Sequence, residues 1–526
     1  MSDSFYITTP IYYVNAEPHI GHTYTTVVAD TLARYHRLRG EDSFFLTGSD
    51  EHGEKVLEVA RERGESPAQV AEYYSTTFLA TWDEVGIGYD RFIRTTDEDH
   101  GRTVREILQR VYDAGEIEFQ EYEGLYCVGC ERFLTDRDLE DGLCRDHERA
   151  PENRTEANYF FKMGKHFQWL HEYIESHPDF IRPERYRNEV LAMLGEESGL
   201  GGDLCISRPR TRLDWGIGLP FDDDYVCYVW FDALINYLTG IGYPDAPDFE
   251  ERWAGAEHLM AKDILKPHAI FWPCMLRAIG LEPPHHLNVH GYWAVNSRKI
   301  SKSLGNMISP LTMKEKYGFE SFRYFLLREM SFGLDSNFSE ALLISRVNAD
   351  LANNLGNLVS RSLNMTKRFA GGIVPEPGEA GEAEREVIAC AERIPAEVDA
   401  AMRSMRPQRA LEAIFGLVDT SNRYLELREP WQAAKQPDGE ESVRTTLYTC
   451  CEALRIVAII ISPFLPETAA EILSRIGQEG ALASAQLPAS AAWGGIEVGA
   501  PTRKGANLFP RIEIEAETEA EVESGG

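Results

Sequence analysis

Two short stretches carry residue types suited to handling phosphate. His19-Ile20-Gly21-His22 follows an apolar run, Phe5-Tyr6-Ile7-Thr8-Thr9, and opens a segment of helical spacing. Far downstream, Lys299-Ile300-Ser301-Lys302-Ser303 lies in a polar loop behind His286-Leu287-Asn288-Val289. Activating a carboxylate with a nucleoside triphosphate puts extra negative charge on the attacked phosphorus and on the departing pyrophosphate, and a protein meets that charge with aimed donors. A helix N-terminus supplies backbone N–H groups, Gly21 permits their close approach, and His19 and His22 add side-chain donors. Lys299 and Lys302 can neutralise the outer phosphates from a loop, with Ser301 and Ser303 contributing hydroxyls. Either stretch alone is a weak signal, since a His-x-Gly-His string is commonly a turn and a lysine-rich loop is commonly solvated. Their order and strand contexts join them into one constellation.

The elements around them must hold these groups in place. Val28, Leu32, Tyr35 and Leu38 recur at helical spacing, and Gly40 is a fitting stop. Ser43 to Thr47 reads as the next strand, running into Gly48-Ser49-Asp50-Glu51-His52-Gly53. This alternation predicts a doubly wound parallel sheet with the tetrad and Asp50 beyond the carboxyl ends of strands, where such sheets bind ligands. From Glu116 to Leu219 cysteines, turns and charges break the pattern, as expected of an insertion. Tyr225 to Phe231 reads as a buried strand and Ile264 to Ile279 as a helix, with the sheet ending near Val289. Beyond about Glu340 the pattern is helical: Leu351, Leu355, Leu358 and Leu363 mark one helix ended by Gly371-Gly372. A linker from Val374 to Glu382, amphipathic helices to about Ile476 and an acidic tail from Glu513 follow. The expected fold is α/β, with a Rossmann-type catalytic domain (1–115 and 225–339) split by an insertion (116–224). An all-α domain (340–500) and a tail (501–526) complete the chain.

A chain of 526 residues calls for several cores. Its balance of 53 basic to 85 acidic residues, −32 overall, opposes ordinary nucleic-acid binding. Only 12 of the basic residues are lysine, and such acidity with scarce lysine resembles proteins of a salt-loaded cytoplasm, where long-range repulsion is screened. A local basic path can still coexist with an acidic total. No apolar run approaches the roughly 20 residues a bilayer requires, and the polar start has no leader pattern, so a soluble cytoplasmic protein is expected. Of nine cysteines, Cys205, Cys227, Cys274, Cys390, Cys450 and Cys451 read as buried small residues. Cys127-Val128-Gly129-Cys130 and Cys144-Arg145-Asp146-His147 instead have the spacing of a structural Cys₃His zinc knuckle. The bland reading is three reduced cysteines and a surface histidine.

The tetrad and pentad resemble the HIGH and KMSKS signatures of class I aminoacyl-tRNA synthetases. Neighbouring segments, Thr9 to Asn15, Thr47 to Gly53, Trp230 to Tyr237, Lys262-Asp263-Ile264 and His268 to Pro273, resemble those of the methionyl-tRNA synthetase family. By that resemblance Asp50 holds the substrate ammonium, while Ile11, Tyr13, Trp230, Ala233, Leu234, Tyr237, Ile264 and His268 line a thioether pocket. Lys262 and Asp263 approach the nucleotide with His19, Gly21 and His22, Trp293 borders the adenine, and Arg208 lies near the substrate carboxylate. Asn357 and Arg361, which share a helix face, would read the anticodon together with Trp431. An adaptable apolar and aromatic enclosure suits a flexible thioether. Leu234 stands where many members have proline, and Ile300 where they have methionine. Implied cofactors are one structural Zn²⁺ and Mg²⁺ with ATP; implied partners are L-methionine, ATP and tRNA(Met), with no membrane. No module long enough for dimerisation follows residue 476, so a monomer is expected. Isoleucyl, leucyl and valyl enzymes carry an editing insertion for which this chain has little room, and cysteinyl enzymes hold zinc in the amino-acid pocket. The rivals from other classes are an inactive tRNA-binding paralogue and a zinc scaffold.

Overall fold

A strand buried at every position belongs in the middle of a parallel sheet covered on both faces, and Ser4–Thr8 is such a strand. In the computed structural model, which describes residues 4–128, 132–134, 138–145, 148–195, 202–296, 298–299 and 306–513, seven strands form the main sheet. They are β1 (Ser4–Thr8), β2 (Tyr12–Tyr13), β3 (Asp42–Asp50), β4 (Arg91–Arg94), β5 (Ile181–Arg182), β6 (Ala256–Ala261) and β7 (His286–His290). All pair in parallel, in the order β5-β7-β6-β1-β3, with β4 on the outer edge of β3. Leu46 faces Thr8 on one edge and Arg91 on the other, and Ser49 faces Tyr12 and Arg94, so β2 prolongs the line of β1.

From β1 the chain passes through helix α1 (Ile20–Leu38) to β3, whereas β6, on the opposite side of β1, leads outward to β7. The winding reverses between β1 and β6. Their carboxyl ends therefore bound the crevice in which open α/β sheets bind ligands. Helix α1 is rich in threonine and valine, which are poor helix formers. It is held by burial of Tyr24, Val27, Val28, Leu32 and Tyr35, and its first turns are laced by Thr23 and Thr26 hydroxyls donating to the carbonyls of His19 and His22 at 3.0 and 2.9 Å.

Two expected elements differ. The strand expected at Tyr225 to Phe231 is Asp222–Cys227, which pairs antiparallel with Ser207–Pro209 and Gly218–Leu219 rather than joining the main sheet. Helix Val229–Leu234 then begins, carrying Phe231. A short apolar run fits a buried strand or a buried helix equally well, and here it holds the end of one and the start of the other. The helix expected over Ile264 to Ile279 is a tight turn at Lys262–Ile264, a wide π-helical turn at Pro267–Phe271 and an α-helix only at Trp272–Ala278. Pro267 and Pro273 each remove a helix donor, which accounts for the irregularity.

Residues to 292, apart from 37–40, form one compact unit; 37–40 and 293 onward form a second. The second unit has a small sheet of Trp293–Val295, Arg298–Lys299 and Ser336–Phe338 and a helical bundle built around Glu440–Ile461, buried at nearly every position from Val443 on. Leu351, Leu355, Leu358 and Leu363 are buried as expected, but the first part of their helix is a wide π-helical stretch, Val347–Gly356. Gly371 and Gly372 end it with φ of 65° and 80°, a region that favours glycine. Buried Glu452 anchors the following chain: it accepts from both arms of Arg455 and from the N–H groups of Gly494, Gly495 and Ile496. Among the described residues no helix is long and apolar enough to cross a membrane.

Candidate active site

The tetrad sits on the switch-point crevice, at the start of α1. Gly21 N–H donates to His19 Nδ1 at 3.1 Å, and His19 N–H donates to His22 Nδ1 at 3.3 Å. With each Nδ1 acting as acceptor, each neutral ring carries its proton on Nε2. The rings stack with centroids 3.9 Å apart, and that of His22 also meets Tyr12 and Phe78. A Cβ on residue 21 would lie 3.0 Å from His19 Cε1, so glycine is what lets the ring fold back over the helix start. Burial pushes the His19 imidazole down to about 4, and burial with His19 alongside holds His22 well below the usual range. Both are neutral donors at pH 7, which lets them hydrogen-bond to an anion without carrying a charge of their own.

Of the expected thioether-pocket residues, Ile11, Tyr13, Trp230 and Ile264 are half-buried and pack against a core that contains Leu234 and Tyr237. Ala233 and His268 are buried as well. His268 Nδ1–H donates to Ile264 O at 2.8 Å, leaving Nε2 to accept from Tyr237 OH at 2.7 Å. The Tyr237 ring in turn stacks on that of His258 at 4.1 Å. Burial puts His268 at about 4 and pushes the Tyr237 phenol up, with Tyr12 and Asp50 adding to the rise. Asp50 ends β3, paired with Tyr13, and is 4 % exposed. The crevice is thus mainly aromatic, with neutral imidazoles and one carboxylate beside Tyr237.

A histidine-rich site kept neutral by burial has a consequence for stability. The unfolded chain binds protons on histidine below about pH 6.5, whereas buried His268 and His290 bind them only near 4. The unfolded state is the better proton binder across that window, so stability falls as pH drops from 6.5 to 4, by about 1.4 kcal/mol per unit for each such group. Urea midpoints measured across this range should decline steadily; a flat profile would contradict the burial.

Sequence reasoning missed a buried polar network behind the pocket. Asp232 accepts from His52 Nδ1 at 2.6 Å and from His100 Nε2 at 2.7 Å. Burial raises the Asp232 carboxyl, but the two histidines outweigh it and hold it below its ordinary value. The network ties the helix of Trp230 and Ala233 to the end of β3, next to Asp50. Beside it Glu51, fully buried, accepts from Arg94 at 2.6 and 3.1 Å and from Ser49, Thr96 and Ser75. A second group near the tetrad is His290, whose Nδ1–H donates to Gly291 O while Nε2 meets the Thr25 hydroxyl at 2.8 Å. The available signal was a set of polar residues inside apolar runs; His100 had no local signal. Asp232→Asn should cost about 3 kcal/mol, since it takes a charged acceptor away from two buried histidine donors, measured by urea unfolding.

The other expected residues fall in several places. Lys262 and Asp263 follow β6 directly, with Lys262 Nζ 4.5 Å over the Tyr292 ring and Asp263 exposed. Arg208 is 2 % exposed and donates to Ser207 O and Tyr126 OH at 2.7 and 3.4 Å, its guanidinium over Tyr228. Trp293 packs in the second unit against Phe325. The Lys299 backbone pairs with Ala294, but its side chain, with Ser301, Lys302 and Ser303, lies outside the described residues. So do Cys130 and His147, while Cys127 and Cys144 are buried in one small cluster with Leu134 and Leu139. In the helical bundle, the Arg361 guanidinium lies 5.9 Å from the Trp431 ring, and Asn357 is exposed one turn before Arg361. Among the described residues Glu257, His285 and His286 also bring ligand atoms within 4.8 Å of one another. The Arg182 guanidinium lies against His286 there, placing a cation where a metal would bind.

Residues 5–149 and 137–363 match the family described as tRNA synthetases class I (M), and residues 374–526 match the anticodon binding domain of methionyl tRNA ligase. The methionine–tRNA ligase of Deinococcus radiodurans is 44% identical over 522 residues, covering 98% of this chain and 75% of that protein. That of Streptomyces coelicolor is 40% identical over 526 residues, covering 97% of each. Mycobacterium tuberculosis methionyl-tRNA synthetase in complex with methionyl-adenylate matches in structure with a TM-score of 0.92 at 38% identity, covering 97% of this chain and 100% of that one. A paired-histidine tetrad on the crevice of a parallel sheet, together with these matches along nearly the whole chain, shows that the chain belongs to the methionyl-tRNA synthetase family of class I aminoacyl-tRNA synthetases.

Proposed function

We infer that the chain activates methionine with ATP and transfers it to tRNA(Met). A methionine carboxylate oxygen attacks the α-phosphorus and the bond to the departing pyrophosphate breaks. The 3′-terminal ribose hydroxyl of the tRNA then attacks the acyl carbon of methionyl-adenylate, losing its proton as the ester forms, and the acyl–phosphate bond breaks to release AMP. The observation that carries this reading is the pair of neutral, stacked imidazoles at the start of α1, each with Nε2–H available as a donor. Charge that grows on the phosphates in the transition state is met by these donors and the helix start. Lys299 and Lys302 carry the positive charge, with Ser301 and Ser303 as hydroxyl donors. Mg²⁺, held mainly by the phosphates of ATP and by water, adds neutralisation when bound. Asp50 holds the ammonium of methionine, and the enclosure from Ile11 to His268 takes the thioether. Lys262, Asp263 and Trp293 serve the nucleotide, and Arg208 the carboxylate side.

The catalytic domain is read as 1–115 with 225–339, the insertion as 116–224 and the anticodon-reading bundle as 340–500. Asn357, Arg361 and Trp431 read the anticodon by hydrogen bonding and stacking, the means by which single-stranded loops are recognised. An inactive tRNA-binding paralogue would have no use for a tetrad arranged as a donor pair. The experiment is charging of a tRNA(Met) transcript with labelled methionine, beside a transcript whose anticodon is replaced. Charging of the first and not the second is expected; charging of neither by a folded enzyme would contradict the reading.

A single Zn²⁺ is assigned to Cys127, Cys130, Cys144 and His147. The burial of two thiols in one small cluster of the insertion fits soft-donor ligation. Zinc there stabilises the knuckle and takes no part in the reaction. Elemental analysis should find one zinc per chain, lost in Cys144→Ser, and a chelator should lower the unfolding temperature; a metal-free protein of unchanged stability would contradict the assignment. The excess of acidic residues and the scarcity of lysine suit a saline cytoplasm, and adenylation that rises with potassium chloride is the corresponding expectation.

A further inference from the structure

Helix Val229–Leu234 carries Trp230 and Ala233, yet it has only six residues and no side-chain hydrogen bond capping its start. A helix so short does not persist unaided, so the groups it is tied to decide where those two residues stand. Trp230 and Ala233, three apart, share one face, and Asp232, two on from Trp230, lies off it. Both oxygens of Asp232 are engaged there. Oδ2 accepts from His52 Nδ1–H at 2.6 Å, and Oδ1 accepts from His100 Nε2–H at 2.7 Å.

The two histidines come from different supports. His52 follows Asp50, the last residue of β3, by two positions, so its bond to Asp232 spans from the segment of Asp50 to that of Trp230 and Ala233. His100 lies in the first turn of helix Glu98–Asp113 and is fully buried. Its Nδ1 stands 3.3 Å from the hydroxyl of Thr239, which ends the four-residue helix that carries Tyr237. One imidazole thus reaches both short helices of the aromatic enclosure. Apolar packing sets a distance loosely, whereas short hydrogen bonds to a carboxylate set it narrowly. A buried charge network is seldom the most stable way to fill a core, and its best-attested use is to fix one arrangement among several.

We propose that His100 is a positioning residue for amino-acid selection: through Asp232 and His52 it fixes the gap between Asp50 and the wall of Trp230 and Ala233 at the length of a methionine side chain. The proposal rests on the reading of Asp50 as the ammonium contact and of Trp230 and Ala233 as thioether contacts, and it adds a buried residue that touches no substrate. A gap so fixed rejects a side chain one methylene longer, a discrimination of about 10- to 200-fold in a well-formed pocket. A slackened gap admits it.

The test is ATP–pyrophosphate exchange with methionine and with ethionine, which has an ethyl in place of the methyl group. The readout is the ratio of the two kcat/KM values, with thermal unfolding of each variant alongside. His100→Asn stays polar, but its amide stops short of Asp232; the ratio should fall about tenfold through a higher KM for methionine, with the KM for ATP unchanged. His100→Gln places an N–H where Nε2 stands and should hold the ratio within about twofold. The converse pair at His52, where Gln loses the Nδ1 donor and Asn keeps it, should follow the same pattern, and it decides the matter if His100→Asn does not fold. Ile107, buried two turns along the same helix, takes no part in these hydrogen bonds; Ile107→Ala should lower the unfolding temperature and leave the ratio alone. An unchanged ratio in His100→Asn and His52→Gln, with methionine exchange intact, overturns the positioning role and leaves methionine activation standing. An equal fall in Ile107→Ala or in His100→Gln, or equal rises in the KM for methionine and for ATP, overturns it as well. No methionine exchange by the folded, unaltered chain overturns the reading on which the proposal rests.

Discussion

His22→Ala lowers the kcat of methionine-dependent ATP–pyrophosphate exchange by about 10²- to 10³-fold, the loss that follows removal of one preorganised donor from a developing anion. The His22 ring is fixed on three sides, by His19 at 3.9 Å, Tyr12 at 4.8 Å and Phe78 at 5.3 Å. Its Nδ1 is occupied by the His19 N–H, so Nε2–H is the group left to act. Because burial keeps the ring neutral, its contribution is an aimed dipole, which gains most when phosphate charge peaks. The loss should therefore fall on kcat and leave the KM for methionine nearly unchanged. His22→Gln, which restores a donor, should recover part of the rate. A fall in both variants confined to KM would contradict this role.

Asp50→Asn raises the KM for methionine by about 10²- to 10³-fold and leaves the KM for ATP unchanged. Removing one partner of a buried, hydrogen-bonded charge pair costs about 2 to 5 kcal/mol. Asp50 is 4 % exposed at the end of β3, in line with Tyr13 and close enough to Tyr237 to raise its phenol. Glu51 and Asp232 nearby are already engaged by Arg94 and by two histidines, so Asp50 is the carboxylate expected to meet the ammonium. Equal losses toward methionine and ATP would point to a distorted sheet end instead.

The position of the tetrad and of Asp50 at strand ends was legible in the strand–helix–strand order, whereas the pocket residues rested on the family resemblance and not on their spacing. His19, Gly21 and His22 open a helix after a strand, and the structure places them at the switch point that this order implies. The buried network of His52, Asp232 and His100 was not legible in the same way. Its members come from the end of β3, the pocket helix and the helix after β4, and no local spacing records their meeting. The misreading of Phe231 as strand has a simple cause: Tyr225 to Phe231 is apolar throughout, and periodicity cannot divide such a run between a strand end and a helix start. Pro267 and Pro273 were passed over when Ile264 to Ile279 was read as one helix, and the wide turn that seats His268 against Tyr237 is what they produce. In the bundle, Leu351 to Leu363 gave the buried face, but the hydrogen bonds that tie Thr502 to Gly372 and Ile512 to Asn348 are long-range and left no pattern.

The most direct test is ATP–pyrophosphate exchange with each of the twenty amino acids, at low and at molar potassium chloride. Exchange with methionine alone is the predicted result. No exchange with methionine by a folded, zinc-loaded protein, or faster exchange with another amino acid, would contradict the account.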